Sequence, residues 1–415
     1  MGKNKKKQWD VVIIGAGAAG MMAAITAARE KKSVCLLERA DKLGKKILAT
    51  GNGKCNFTNS VMTIDAFHGE RAFIAQVLEQ FSVTDCLDFF RSIGIYPKCK
   101  NGYYYPNSEQ AASVVTALEQ ELLRLGVKIS LSTEIRLIVP DANGVEVVAE
   151  NTSFYGKKLI IATGLLAAPK LGSNGSLLDA VKSLGHRFLP ILPALCGFYC
   201  KGIPFKKTSG VRVQGTVAAY INGKKVDADT GEIQFTDYGL SGIPVFQISH
   251  AVSKGLYQKQ DTRIVLTLLP EFDRPMLCSE LNYRKNLFSH TTVEYLCNGL
   301  LPQKLADMFL EKVHLERGRS VASLSEKELQ KLADAILYTQ VEVTKYRDFE
   351  FAQVCTGGIP VCDVDWSTLE SRLVKHIHFA GEILDVDGIC GGYNLHFAWA
   401  TGQIAAKALC SKNED

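Results

Sequence analysis

These 415 residues predict an α/β fold: a largely parallel sheet carrying helices, in a chain interrupted by a second unit. Three observations predict it. Near the start, a β-branched run, a turn with three glycines in six residues and an Ala- and Met-rich stretch follow one another between Val11 and Ala28. Strand and helix patterns then alternate as far as Gly164, as a sheet with helices packed on it requires. After Pro190 and Pro193 the texture changes to hairpins and then helices, before an apolar strand returns at Ile377.

Composition admits that class. Apolar residues make up 47% and charged residues 22%, enough for a real core and too apolar for a disordered or collagen-like chain. The 48 basic and 43 acidic residues give +5, but Lys3, Lys5, Lys6 and Lys7 supply four of those charges in a stretch without an acid. The near-neutral remainder argues against an extended nucleic-acid surface, and the basic tail reads as a solvated, frayed terminus. Twelve cysteines are scattered without a Cys-x-x-Cys pair, which signals neither a zinc knuckle nor a thiol redox centre. Cys196 and Cys200 are expected to be buried thiols, and a reducing cytoplasm is the simplest setting. Val11 to Ala28 runs eighteen residues without a charge, long enough to suggest a membrane span or signal peptide. Its three glycines would weaken such a helix, so no membrane association is expected.

The elements follow in order. Asp10 to Ile14 is a short buried strand, Gly15-Ala16-Gly17-Ala18-Ala19-Gly20 a tight turn, Met21 to Glu30 a helix, and Ser33 to Leu37 a second strand ending in Glu38. Gly15 permits the turn, Gly17 lets the backbone approach a pyrophosphate, and Gly20 lets the helix pack closely on the strand. The helix N-terminus offers free N–H groups and partial positive charge to phosphates. Glu38 is spaced to accept hydrogen bonds from adenosine ribose hydroxyls. A carboxylate there disfavours a 2′-phosphate, leaving FAD or NAD. The stretch from Arg39 through Lys46, Thr50, Gly51, Asn52, Cys55 and Asn56 to Asn59 is rich in glycine and asparagine, and reads as a polar functional loop and not a helix.

Ala111 to Leu125 shows helical spacing, and Val127 to Val139 with Gly144 to Ala149 reads as strands. Leu159 to Gly164 is a buried strand ending in the small turn Ala162, Thr163, Gly164. Val211 to Ile221 alternates, Asn222-Gly223 is a hairpin turn, and Ile233 to Thr236 and Arg263 to Leu269 add strands. Arg274 to Val313 and Ser325 to Leu337 read as helices, and Val341 to Val343 and Phe351 to Val354 as strands. The last apolar strand ends in Gly381-Glu382, suited to the ribityl hydroxyls of a flavin, which favours FAD.

Strand–GAGAAG–helix–E and the later FAGE resemble the two-dinucleotide-binding flavoproteins, whose nucleotide domain is Rossmann-like. More specific are TGNGKCNFTN (Thr50 to Asn59) and GEILDVDGICGGYNLHFAWATG (Gly381 to Gly402). With GYYYPNSEQAASVV, GHRFLPILPAL, FTDYGLSGIP and TLESRL in order along the chain, they resemble the BaiN-like, aminoacetone-oxidase-family bacterial flavoproteins. The resemblance implies a Rossmann-like FAD-binding domain over 1–190 and 346–415. Between them, 191–345 would be an insert holding a β-barrel and a helical subdomain around 274–337. It implies an FAD-dependent oxidoreductase that reduces an activated, enone-type C=C bond, including those of steroid or bile-acid-like substrates.

By the same resemblance, Gly15, Ala16, Gly17, Ala18, Ala19 and Gly20 would line the pyrophosphate and Glu38 the adenosine ribose, with Arg39 and Ile135 also among the cofactor-binding residues. Lys46, Thr50, Gly51, Asn52, Cys55 and Asn56, then Gly381 and Glu382, would border the ribityl chain and ring, and Ala162, Thr163 and Gly164 would also contact the cofactor. Asn394 and Leu395 would lie near its far edge. Two positions depart from the family pattern: Asp237, where a His is usual, and His396, where a Gln is common.

Without a second glycine fingerprint, donor and substrate are expected to visit one flavin in turn, with NAD(P)H as electron donor and a small molecule as substrate. The protein then orients the substrate and supplies a proton. Tyr238 and His396 are the proton-donor candidates, set against ordinary packing roles. Cys55 is expected as a packed thiol, Asp385 and Asp387 as turn formers, and no metal is assigned. Amine or aminoketone oxidation with O₂, RNA modification, and a non-catalytic flavin sensor are the competing readings.

Overall fold

The computed structural model describes residues 8–409; the basic tail at residues 3–7 lies outside them. The chain forms two compact units, one built from the segment ending at Leu192 and again from Gln353 onward, the other from Pro193–Ala352.

The first unit is organised by a parallel sheet. Its strands are β1 (Gln8–Ile14), β2 (Val34–Leu37), β3 (Lys128–Ser130), β4 (Ser153–Ile161) and β5 (Ile377–Phe379), in spatial order β3-β2-β1-β4-β5. β2 is buried at every position, as expected of a parallel strand covered on both faces. The far edge of β4 is shared: its second half pairs in parallel with β5, and its first half pairs antiparallel with Val145–Ala149, which pairs in turn with Ile135–Pro140. The uncharged run from Val11 is thus a strand, a turn and a helix. Among the described residues no helix is long and apolar enough to cross a membrane.

Two helices lie against each other in this unit, α1 (Ala18–Arg29) and α2 (Tyr393–Ala408). Both bury small residues, among them Ala19, Ala23, Ala400 and Ala405. A methyl group on Gly402 would collide with the carbonyl oxygen of Ala19, so the helices touch nearly backbone to backbone. Glycine at 402 is what this approach requires.

The second unit contains a closed barrel. Strands Phe198–Lys201, Gly239–Ser241, Lys224–Phe235, Arg212–Ile221, Thr262–Thr267 and Thr339–Tyr346 follow one another around it, the last pairing with the first. Asn222 and Gly223 both have positive φ (51° and 77°) between the paired Ile221 and Lys224, the two-residue turn that matches the twist of a hairpin. Helices Arg274–Leu287, Gln303–Lys312 and Glu326–Leu337 send Leu281, Phe309 and Leu332 into the core that also holds Ile264 and Leu266 of the barrel.

Two expected strand segments differ. Phe349–Phe351 is a 3-10 turn, and the strand expected from Val341 to Val343 runs through Thr339–Tyr346 because it closes the barrel. The flavin-side strand begins only at Val354.

Candidate active site

The turn after β1 is built from collisions avoided. Gly15 has φ +100°, and a methyl group there would sit 2.5 Å from the oxygen of Ala162. On Gly20 a methyl would run into the carbonyl oxygen of Gly15, so α1 begins pressed against the turn that starts it. Gly17, the residue capping α1, differs: a methyl there would meet nothing within 4 Å. No side chain caps the helix, and the uncapped amides of its first turn, from Ala18, Ala19 and Gly20, form the positive end of the helix dipole beside the open space over Gly17. This is room for a pyrophosphate held by backbone alone.

Glu38 is anchored at the end of β2. One carboxylate oxygen accepts the N–H of Ala16 and the other that of Ala40, each at 2.7 Å. A carboxylate has about four acceptor sites, so capacity remains for ribose hydroxyls. The chain around residue 133 returns to the same edge, where Thr133 donates its N–H to the Glu38 carbonyl and Ser132 to that of Ala40. The strand that starts at buried Ile135 then leads away from the edge that holds Glu38. Arg39 reaches the Gly172 carbonyl at 3.3 Å.

The polar loop is partly helical, contrary to expectation. Lys45–Ala49 forms a short helix, because Gly44 (φ +62°) turns the chain into it and Ile47 is buried beneath. Thr50 then donates to the Ile47 carbonyl at 2.6 Å, and Gly51, Asn52 and Cys55 all take positive φ. Lys46 pairs with Glu382 at 2.6 Å, while the other Glu382 oxygen accepts the Cys355 N–H at 2.8 Å. Gly164 lies beneath this pair: a methyl on it would come 3.4 Å from Glu382 Oε2. The Ala162 N–H bonds to Ile14, Thr163 lies beside Gly164, and the Gly381 N–H is held by the hydroxyl of buried Thr401 at 2.9 Å. Cys55 is fully buried, and burial pushes its thiol up to about 12. It is a packed, un-ionised thiol.

At the start of α2 the structure narrows one expectation and corrects another. The Asn394 side chain is spent on the Gly388 backbone, accepting at 2.8 Å and donating at 2.7 Å, so only its backbone and that of half-buried Leu395 are left for a ligand. His396 is fully buried, with Nδ1 accepting from the Thr58 hydroxyl at 2.8 Å and Nε2 donating to the Phe81 carbonyl at 3.2 Å. Burial drives its pKa down to about 4. A neutral imidazole with both nitrogens bonded inside the unit is a structural tie, not a proton donor.

Tyr238 lies in the barrel unit, its ring 5.3 Å from that of Tyr199 and 4.1 Å from the Arg347 guanidinium. Cys196 and Cys200 are buried there, their thiols raised by burial to about 12.

Four residues of the first unit had no role in the sequence reading: Thr356, Thr401, Tyr103 and Tyr393. Thr356 lies beside the Glu382 turn on the strand Val354–Gly358, and its hydroxyl is buried without a partner, as is the amide oxygen of Asn56. Unpartnered buried polar atoms at this rim, with the open ground over Gly17, fit a bound dinucleotide carrying a polar ring system. When bound, FAD would be held by the α1 turn, Glu38, and the segments around Lys46, Asn56 and Glu382.

Comparisons with known proteins agree with this geometry. A 3-dehydro-bile acid delta(4,6)-reductase from Clostridium scindens is 40% identical over 403 residues, 96% of this chain and 98% of the relative. A ribosomal RNA dihydrouridine synthase from Haemophilus influenzae is 29% identical over 406 residues, covering 96% of this chain and 98% of its own. Among solved structures, a 3-ketosteroid-delta4-(5alpha)-dehydrogenase from Rhodococcus jostii shares the fold, with a TM-score of 0.52 at 14% identity over 98% of this chain and 97% of that one. The family described as the HI0933-like protein Rossmann domain matches residues 9–408, and the chain belongs to that family.

Proposed function

We propose that this protein is an FAD-dependent reductase of activated, enone-type C=C bonds in small ring-shaped substrates, using NADH or NADPH as donor, in the cytoplasm. The observation that carries the reading is the 40% identity to a bile-acid reductase along 96% of the chain. It falls on a unit whose glycine turn leaves open ground for a pyrophosphate. Bound FAD would supply a two-electron hydride transfer to the substrate's β-carbon. The chain's own part is to hold and orient. The first turn of α1 cradles phosphate, Glu38 fixes the ribose, and the Lys46–Glu382 pair ties the polar loop to the last strand. Buried thiols such as Cys55 and Cys297, each raised by burial to about 12, are unsuited to relay electrons as thiolates.

The test is to purify the protein with its flavin and titrate it anaerobically with NADH and NADPH, then add a panel of 3-keto-4-ene steroids. Flavin bleached by a nicotinamide and recoloured by an enone is the expected result. Peroxide released from amines in air, with no response to enones, would instead favour the oxidase. A second reading has a specific observation behind it: the relatives at 29% and 28% identity are ribosomal RNA dihydrouridine synthases. Uracil's C5=C6 bond is also conjugated to a carbonyl, so the same chemistry would serve. The near-neutral body favours the small molecule. Retention of ribosomal RNA at low salt, with dihydrouridine formed on incubation, would reverse that preference.

A further inference from the structure

The barrel unit contains an arginine held by aromatic rings and paired with no acid among the described residues. Arg347 directly follows the strand Thr339–Tyr346, and its backbone N–H donates to the Gly197 carbonyl at 2.9 Å. Its guanidinium carbon lies 3.7 Å from the centre of the Phe351 ring, 4.1 Å from that of Tyr238 and 5.5 Å from that of Tyr199. All three are within reach of a cation–π contact. Two ring centres this near cannot share one face of a planar group, so Phe351 and Tyr238 bracket it. The Tyr238 ring is braced in turn by Tyr199, 5.3 Å away.

The rings orient the group without satisfying it. Nε is buried with no hydrogen-bond partner, and no hydrogen bond or ion pair engages the guanidinium among the described residues. Buried charges are normally paired. A histidine or lysine so placed could shed its proton, whereas a guanidinium stays charged. The groups beside it do not supply the missing anion. Asp348, next in sequence, is paired with Lys345 at 2.8 Å, and the Cys196 thiol, pushed by burial up to about 12, stays un-ionised. A planar cation fixed in one orientation, with its donors unspent, matches a carboxylate, which an arginine binds through two parallel hydrogen bonds. Phe351 is 52% exposed and Arg347 half-buried, so the clamp is open to solvent on one side.

We propose that Arg347 is a carboxylate-recognition site, which takes the acid group of a ring-shaped enone and sets a preference for acidic substrates over their neutral esters. The proposal rests on the enone-reductase reading for the rest of the ligand; the carboxylate itself is argued from the clamp. Arg347 is in this assignment a specificity-determining residue and touches no reacting atom. Phe351 and Tyr238 serve it by holding the guanidinium plane, so that little freedom is lost when the acid binds.

The experiment uses the full-length, FAD-loaded protein with Arg347→Met, Arg347→Lys and, as control, Arg212→Met, an exposed barrel residue paired with Glu232. Binding is read first, without turnover, by calorimetric titration with a saturated 3-keto steroid bearing a side-chain carboxylic acid and with its methyl ester. Wild type is expected to favour the acid. Arg347→Met should weaken the acid about 10- to 100-fold, the range of a lost charge-assisted hydrogen-bond pair, and the ester less than about threefold. Arg347→Lys keeps the charge without the fork and should fall between, while Arg212→Met changes neither. Turnover of the corresponding 3-keto-4-ene acid and ester, with NADH and NADPH in turn, should show KM raised for the acid alone and kcat kept. A wild type that binds the acid no better than the ester overturns the proposal. So does Arg347→Met weakening both equally with a lowered melting temperature, which makes the residue a packing tie, or altering only the use of NADPH, which gives the guanidinium to a phosphate. A wild type that reduces no enone, yet discriminates acid from ester through Arg347, overturns the enzyme reading and upholds the carboxylate site.

Discussion

Replacing His396 with Gln tests how burial has set this residue's role. In the folded chain its pKa is about 4, against 6.5 for a solvated imidazole, because burial penalises the charged ring. Between those values the unfolded chain binds a proton that the folded chain refuses. Stability from this group is therefore complete above pH 6.5 and is lost as pH falls toward 4. The shift is worth about 3 kcal/mol in full, and about 2 kcal/mol is already lost at pH 5.0. His378, also buried and brought down to about 4 by burial, adds a loss of the same sign. Wild type should thus weaken markedly between pH 7.5 and 5.0 in urea unfolding followed by tryptophan fluorescence. His396→Gln keeps a neutral donor and acceptor for Phe81 and Thr58, and should remove about 2 kcal/mol of that pH dependence. Equal losses in wild type and variant would refute the argument, because they would mean that His396 is already open to protons in the native state.

Three further outcomes follow from the same geometry. Gly20→Ala places a methyl against the Gly15 carbonyl, and should yield protein with little bound flavin and a melting temperature lowered by several degrees, at a cost of roughly 1–3 kcal/mol. Gly17→Glu meets open space and should fold normally. Its carboxylate at the helix N-terminus would displace or repel a pyrophosphate, and FAD affinity by fluorescence titration should drop at least about tenfold; undiminished affinity would place the phosphates elsewhere. Trp399→Phe removes a fully buried indole that donates to the Phe57 carbonyl at 3.1 Å and packs edge-on against Phe90. It should cost about 2–4 kcal/mol in urea unfolding.

Much of the nucleotide cradle was legible because its logic is local. A strand, a tight turn and a helix within one short stretch require glycine at Gly15 and Gly20 for two different steric reasons, while Gly17 leaves room for a phosphate, and each leaves its mark on nearby residues. The loop after Glu38 was legible as polar but not in detail. Its composition argues against a helix, yet Gly44 and the burial of Ile47 stabilise one short turn of it. His396 was misjudged for a similar reason. Its sequence neighbours belong to a flavin-side motif, while its partners, Thr58 and Phe81, come from distant segments. Tyr103 and Tyr393 lie in quoted motifs without an assigned role, since nothing in either motif reveals that their rings meet over Gly391.

The sequence by itself determined the cofactor class and the sheet that carries it: period, glycine spacing and a terminal acid act over distances the chain spans within a few turns. It also determined that the uncharged run from Val11 to Ala28 is no membrane helix, since glycine in a tight turn has an immediate steric use. Tertiary structure alone decided which polar side chains are already satisfied and which are left over for a ligand. That distinction depends on burial and on partners brought together from remote parts of the chain. It turned His396 into a structural tie and left the amide oxygen of Asn56 and the hydroxyl of Thr356 buried without a partner.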